Sequence, residues 1–395
     1  MSDATIALPN TSSDMRSALL RRLVPPLRYG RLICVLPGGQ QVELRGPLPG
    51  PQGVLELHDW RLCLALALQG ANGLDESYLA GAWSSPDLTA LLTLLAQNFA
   101  DHAPSGGLAA PGRLFRRLRH AANANTRAGA RRNIMAHYDL GNEFYAAWLD
   151  QTMLYSSALY AAQGETLEAA QARRLALITD WLDVPAGGSV LEIGCGWGAL
   201  ARHLGEQGAR VTGLTLSPAQ LGYAQGVVGG NVRLALRDYR DETGLYDRIV
   251  SIEMLEAVGE AYWPTYFAAL RARLKPGGKA VLQVITIDAA RYHAYRRTPD
   301  FIQRHIFPGG MLLPNAEIGI QARRAGLTQG RVLRFGASYA HTLAAWRARF
   351  LAAWPRLEAL GFDARFKRLW TYYLAYCEAG FATGMINVGL YELKG

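Results

Sequence analysis

The chain has 395 residues, half of them hydrophobic, with four cysteines and a formal net charge of +9. At ~150 residues per domain this length predicts two or three domains. Apolar runs such as 62–68 and 88–95 fall far short of the ~20 residues that cross a bilayer. Cys34, Cys63, Cys195 and Cys377 are widely spaced with no CxxC pair, which argues against a disulfide framework and a zinc site, so no metal is expected. The first fourteen residues lack a basic-then-apolar leader pattern, so a cytoplasmic protein is expected.

Residues 1–100 mix short strand-like runs (32–36, 41–44, 53–57) with two apolar helical stretches (60–69, 86–98). Gly and Pro at 37–39 and 47–51 read as punctuation between them. This predicts a small α/β domain without catalytic residues, serving lipid capture or a subunit contact, the latter making a homodimer. Residues 101–130, rich in Ala, Gly, Pro and Arg, read as a basic linker before a domain at 131–395. From Arg113 to Arg132 stand seven arginines (Arg113, Arg116, Arg117, Arg119, Arg127, Arg131 and Arg132) and no Asp or Glu. Leu114, Phe115 and Leu118 interleave at helical spacing. A solvated linker, an interfacial helix on an anionic membrane and a nucleic-acid site all fit. The interfacial helix is preferred, because each Arg adds ~1 kcal/mol of attraction to an anionic bilayer. Nucleic acid is not an expected partner.

From about residue 185 the pattern becomes strand–helix alternation, which predicts a doubly wound α/β sheet of the Rossmann-like class. Strands are expected at 189–193, 210–214, 232–236, 246–252 and 279–285, with the stretches near 331–335 and 387–393 completing the sheet. Helices are expected at 199–206, 218–226 and 262–274, the last ended by Lys275-Pro276-Gly277-Gly278. Such sheets bind ligands at the carboxyl ends of their strands.

The first of those ends carries Glu192-Ile193-Gly194-Cys195-Gly196-Trp197-Gly198. Gly194, Gly196 and Gly198 let the backbone approach a ligand with no Cβ between them. A dinucleotide loop needs room for a pyrophosphate; this tighter loop suits a cofactor without phosphates, and Glu192 is placed for an amino-acid portion. S-adenosylmethionine meets that description. Thr215, Ser217 and Gln220 follow the second strand as candidates for the ribose. Asp238 and Tyr239 follow the third, as an acceptor for the adenine amino group and a ring to stack on it.

Several ordered motifs then carry a resemblance. Asn133 to Asn142, Met153-Leu154-Tyr155-Ser156, Leu191 to Gly198, Asp238-Tyr239-Arg240, Tyr246 to Ser251, His305 to Gly310, Phe335 to Tyr339 and Trp370 to Phe381 resemble the cyclopropane-fatty-acid synthase and mycolic-acid methyltransferase family. Gly73 to Trp83 resembles the small N-terminal domain of the bacterial synthases.

The resemblance implies methyl transfer from S-adenosylmethionine to a cis double bond of a phospholipid acyl chain, with a carbocation that loses a proton to form a cyclopropane. It implies a peripheral enzyme at the inner membrane face. Tyr155 and Ser156 are implied at the carboxylate and sulfonium end of the cofactor, within a cofactor set that also holds Cys195. The implied base is bound bicarbonate, cradled by Glu256, Ile285 and Tyr339. Ser157 stands where the family has Cys and Gln283 where it has His, both as hydrogen-bond donors to the anion. Cys377 matches a cysteine once assigned to catalysis, although a packing role suits it better. Two other outcomes stay open: a methyl transfer that stops short of the ring, and a lipid-binding module without turnover.

Overall fold

The computed structural model describes residues 24–70, 72–99, 126–127, 129, 140–162 and 164–395. His137 and every arginine of the basic cluster except Arg127 lie outside the described residues. The chain forms two compact units, dividing near residue 110.

The first unit is a four-stranded sheet of order β2-β1-β3-β4, with β1 Tyr29–Val35, β2 Gln41–Arg45, β3 Leu48–Leu57 and β4 Trp83–Ser84. Helices Arg61–Gln69, Asn72–Leu79 and Leu88–Phe99 accompany it. The break expected at 47–51 does not occur. Instead β3 starts at Leu48 and runs parallel to β1, and a register shift near Arg31 absorbs the irregularity. The Asn98 carboxamide oxygen accepts from the Arg28 and Tyr29 amides at 2.7 and 2.8 Å, tying helix to strand.

The second unit holds the larger sheet, in the order β11-β12-β9-β8-β5-β6-β7. Its strands are β5 Ser189–Ile193, β6 Arg210–Thr215, β7 Val232–Leu236, β8 Tyr246–Ile252, β9 Leu274–Ile287, β11 Thr328–Arg334 and β12 Ile386–Lys394; a short β10, Leu313–Pro314, pairs with β9. Strands β7, β6, β5, β8 and β9 are parallel, while β12 runs antiparallel to β9, and β11 antiparallel to β12. The parallel core reads as unbroken apolar runs because helices cover both faces: Val190, Leu191, Ile249, Val250, Ala280 and Val281 are all fully enclosed. The helix expected at 262–274 ends at Arg273, but β9 opens at Leu274 rather than at Lys279, so 275–278 already belong to the strand.

Helix starts follow local chemistry. Ser217 caps Pro218–Gln225 by accepting from the Gln220 amide at 3.2 Å, and Pro218 occupies the first turn, where its missing N–H costs nothing. The strand order reverses between β5 and β8, so the carboxyl ends of these two strands and of β9 and β6 surround one crevice.

Candidate active site

The loop after β5 is held in a form that glycine alone adopts without strain. Gly194, Gly196 and Gly198 have φ of +83°, +52° and +89°. The Gly194 and Cys195 amides both donate to the Leu214 carbonyl at 2.9 Å, locking the loop to β6. A Cβ on Gly194 would meet Met254 Cγ at 2.5 Å, whereas one on Gly196 would meet nothing within 4 Å. Gly196 therefore faces open space.

Glu192 lies under this loop, 3% exposed, with Oε2 lacking any partner. Burial lifts its carboxyl to about 8, with Arg174 pulling the other way. An unsatisfied buried carboxylate beside an open glycine cradle fits a cationic amino-acid ligand without phosphates. S-adenosylmethionine therefore fits these residues. Trp197 is buried with its ring 4.9 Å from Tyr145; its indole N–H donates to Asn142 Oδ1 at 2.8 Å, and Asn142 Nδ2 donates to the Ala219 carbonyl at 3.3 Å.

At the end of β6 the expected ribose residues bond one another. Thr215 Oγ1 donates to Gln220 Oε1 at 2.9 Å and accepts from the Ser217 amide at 3.1 Å. After β7, Asp238 is paired with Arg240 through both oxygens, at 2.8 and 2.6 Å. The Arg240 guanidinium lies 5.6 Å from the centre of the Tyr239 ring. Arg127, the described member of the basic cluster, pairs with Asp241 at 2.7 Å.

The segment 150–157 enters the site through a strained turn. Met153 has φ of +57°, and the Asp150 carboxylate accepts from the Thr152 and Leu154 amides at 2.9 and 3.3 Å. That turn presents Tyr155, whose hydroxyl lies 2.7 Å from the Tyr373 hydroxyl, and Ser156, whose carbonyl accepts from Gln171 Nε2 at 3.0 Å.

Three of the groups expected to hold bicarbonate converge on a carboxylate of the chain itself. Glu253, just past β8, accepts from the Ser157 amide at 3.0 Å and Gln283 Nε2 at 2.7 Å on Oε1, and from the Tyr339 hydroxyl at 2.7 Å on Oε2. The Ser157 hydroxyl, expected to be the donor, turns away to the Ala158 carbonyl at 2.9 Å. The Ile285 amide donates to Glu256 Oε1, while Glu256 Oε2 is buried without a partner. The Ser157 amide, Gln283 Nε2, the Tyr339 hydroxyl and the Ile285 amide are thus engaged by Glu253 and Glu256, and a bicarbonate would find none of these four donors free.

Arg174, 1% exposed on helix Leu167–Leu182, organises this cluster. Its Nη1 donates to Gln283 Oε1 at 3.3 Å and its Nε to Gln171 Oε1 at 3.1 Å. Because arginine only donates, it turns the Gln283 amide so that its NH2 faces Glu253. Glu253, Arg174, Gln171 and Asn142 were not foreseen from the sequence; the available signal was an acid at the carboxyl end of a central strand.

Burial, and next the neighbouring Glu253 charge, lift Glu256 to about 8. Between an unfolded value near 4.5 and that folded value the native state binds more protons than the unfolded one, so rising pH costs stability. Glu256→Gln removes this slope. The variant's melting temperature relative to the parent's should climb steadily from pH 5 to pH 8 in cofactor-free protein; a difference that stays flat across that range would refute the assignment.

Aromatic faces line the same region. The Tyr339 ring lies 4.4 Å from Phe381 and 6.1 Å from Trp346, and Trp346 lies 5.3 Å from Tyr155. Cys377 sits on helix Ala364–Ala382 with its thiol pushed up by burial and by Asp300, which keeps it protonated and a poor nucleophile.

The family model for mycolic acid cyclopropane synthetase matches residues 125–390. The chain belongs to that family. It is 42% identical over 341 residues to a tuberculostearic acid methyltransferase of Mycobacterium tuberculosis, covering 83% of this chain and 79% of that one. It is 37% identical over 326 residues to a cyclopropane-fatty-acyl-phospholipid synthase of Escherichia coli, covering 79% and 80%. The crystal structure of a mycolic acid cyclopropane synthase complexed with SAH and CTAB superposes with a TM-score of 0.63 at 30% identity, covering 67% of this chain and 98% of that one. The family member described here is an S-adenosylmethionine-dependent methyltransferase that acts on lipids. Among the described residues no helix is long and apolar enough to cross a membrane.

Proposed function

We propose that this enzyme methylates the cis double bond of a phospholipid acyl chain and closes the product into a cyclopropane. The observation that carries the reading is Tyr339, whose hydroxyl donates to Glu253 while its ring packs against Phe381 and Trp346. A buried carboxylate and a set of π faces meet at one residue, which is what an acyl-chain cation and its deprotonation require.

Glu192 and the loop Gly194 to Gly198 are the residues that would hold S-adenosylmethionine, with Tyr155 and Ser156 toward its reactive end. When bound, that cofactor supplies an electrophilic methyl to the alkene π pair. The aromatic rings then face positive charge on the acyl chain, worth ~2 kcal/mol or more when desolvated. A base removes a proton from the added methyl, and the C–H pair closes the ring. The donors expected for bicarbonate are engaged by Glu253 and Glu256.

A second reading is favoured by the 42% identity to a tuberculostearic acid methyltransferase. In it the proton leaves a neighbouring chain carbon or, after a hydride shift, the added methyl, and the product is a methyl- or methylene-branched chain that keeps an alkene. Mass spectrometry of acyl chains after incubation with S-adenosylmethionine and monounsaturated vesicles separates the two. Cyclopropanation adds one CH2 and abolishes ozonolysis; branching adds the same mass and leaves the chain cleavable. No mass gain would reject both. We place the enzyme at the inner membrane face through its arginine cluster, which predicts faster turnover on anionic than on zwitterionic vesicles at low salt.

A further inference from the structure

We propose that Glu253 is this enzyme's built-in catalytic base, occupying the cradle in which the family resemblance implied a bound bicarbonate. The inference rests on the methyl-transfer reading above but not on which of the two products forms.

The cradle is defined by what converges on it. The Ser157 amide, Gln283 Nε2 and the Tyr339 hydroxyl come from three separated parts of the chain, and all three point at the Glu253 carboxylate. A carboxylate offers about four acceptor positions. Oε1 accepts two of the three donors and Oε2 one, so Oε2 keeps a lone pair for a proton. None of the donors expected to hold an anion is left over: the Ser157 hydroxyl is turned to Ala158, and the Ile285 amide is held by Glu256; the donor of the cluster without a partner is Arg174 Nη2, behind Gln283.

The backbone supports the same conclusion. Glu253 has φ of +52°, in the left-handed region that side-chain-bearing residues rarely adopt, and its own amide donates to the Gln283 carbonyl at 2.8 Å. Strain kept at a part-buried carboxylate that three donors hold in place points to a working position. The charged and titratable groups facing it are Arg174, Tyr339 and Glu256. Burial raises its carboxyl, opposed by the Tyr339, Ser157 and Gln283 bonds and by Arg174, which makes it a stronger base than a solvated glutamate.

In the step itself the Glu253 carboxylate takes a proton from the methylated, positively charged acyl chain. The electron pair of the broken C–H bond becomes either the third C–C bond of the ring or a C=C bond. Glu253 is left as the neutral acid and returns its proton to water after product leaves. No external base is consumed.

The test compares parent, Glu253→Gln and Glu253→Gly, using S-adenosylmethionine, monounsaturated anionic vesicles and buffers from CO2-free to millimolar bicarbonate. The parent's rate should not respond to bicarbonate. Glu253→Gln should lower kcat by about 100-fold or more, the usual contribution of a general base, with cofactor affinity by calorimetry unchanged. Glu253→Gly suits the positive φ and vacates the cradle, so it should recover part of the lost rate when bicarbonate is added. It should also broaden the 13C-bicarbonate NMR line, which the parent should leave sharp. A parent rate that rises with bicarbonate, or parent-like turnover by Glu253→Gln, would overturn the proposal. Should the parent methylate no unsaturated lipid, the functional reading fails, and the NMR contrast between parent and Glu253→Gly still decides whether Glu253 fills an anion cradle.

Discussion

Gly194→Ala is expected to weaken S-adenosylmethionine binding by about 100-fold or more while leaving the protein folded. Two costs combine. At φ of +83° an alanine is held in the left-handed region, which costs ~1–3 kcal/mol. Its Cβ would also lie 2.5 Å from Met254 Cγ and 2.7 Å from Met254 Sδ, and such overpacking adds ~1–3 kcal/mol. A hundredfold loss corresponds to ~2.7 kcal/mol, within that sum. Met254 is flexible, but it stands next to Glu253 and two residues before Glu256, so relief at one place disturbs the other. Gly196→Ala provides the control: φ is +52°, yet its Cβ meets nothing within 4 Å, so only the backbone cost applies. Calorimetric titration on both variants checks this, with circular dichroism to confirm folding. Equal affinities for the two would mean that the Met254 contact is unimportant.

The parallel strands are legible in the sequence because burial on both faces writes them as short apolar runs bounded by glycine or charge. The starts of β3 and β9 are not legible, since Pro49-Gly50-Pro51 and Pro276-Gly277-Gly278 carry turn chemistry. Each strand is instead drawn out by a neighbour, β1 for β3 and β8 for β9. At the site, the glycine loop has a local signature. Ser157, Gln283 and Tyr339 stand out only through family motifs, and what they surround cannot be read from them. Glu253 lies three residues before the motif acid Glu256, and a lone acid after a strand is ordinarily solvated. Its role emerges only when β9 brings Gln283 across and helix Gly336–Ala352 brings Tyr339 down. Arg174 is harder still, because one arginine beside another on a helix gives no hint of which is enclosed.

Arg174→Leu should be the most damaging single change to the stability of the larger unit. The guanidinium is 1% exposed and is the positive charge set against Glu253, Glu192 and Asp150. Burial favours its neutral form, and those carboxylates hold the charge in place. Leucine fills much of the volume but leaves Glu253 and Glu192 enclosed without compensation, and it frees Gln283 to flip its amide oxygen toward Glu253. Removing one partner from such a cluster costs about 3–5 kcal/mol, which in a unit this large lowers the melting temperature by roughly 10 °C. The loss should depend on pH in one direction. Without Arg174 the two carboxyls titrate still higher, so lowering the pH toward 5 favours their neutral forms and shrinks the penalty. As pH rises toward 8 each must either ionise unpaired or hold a proton that the unfolded chain has released, and the variant falls further behind the parent. Thermal unfolding of parent and Arg174→Leu at pH 5 and pH 8 measures this directly. A gap of the same size at both values would show that Arg174 contributes packing rather than charge, and the electrostatic account of the Glu253 cradle would have to be rebuilt on Gln283 and Tyr339 alone.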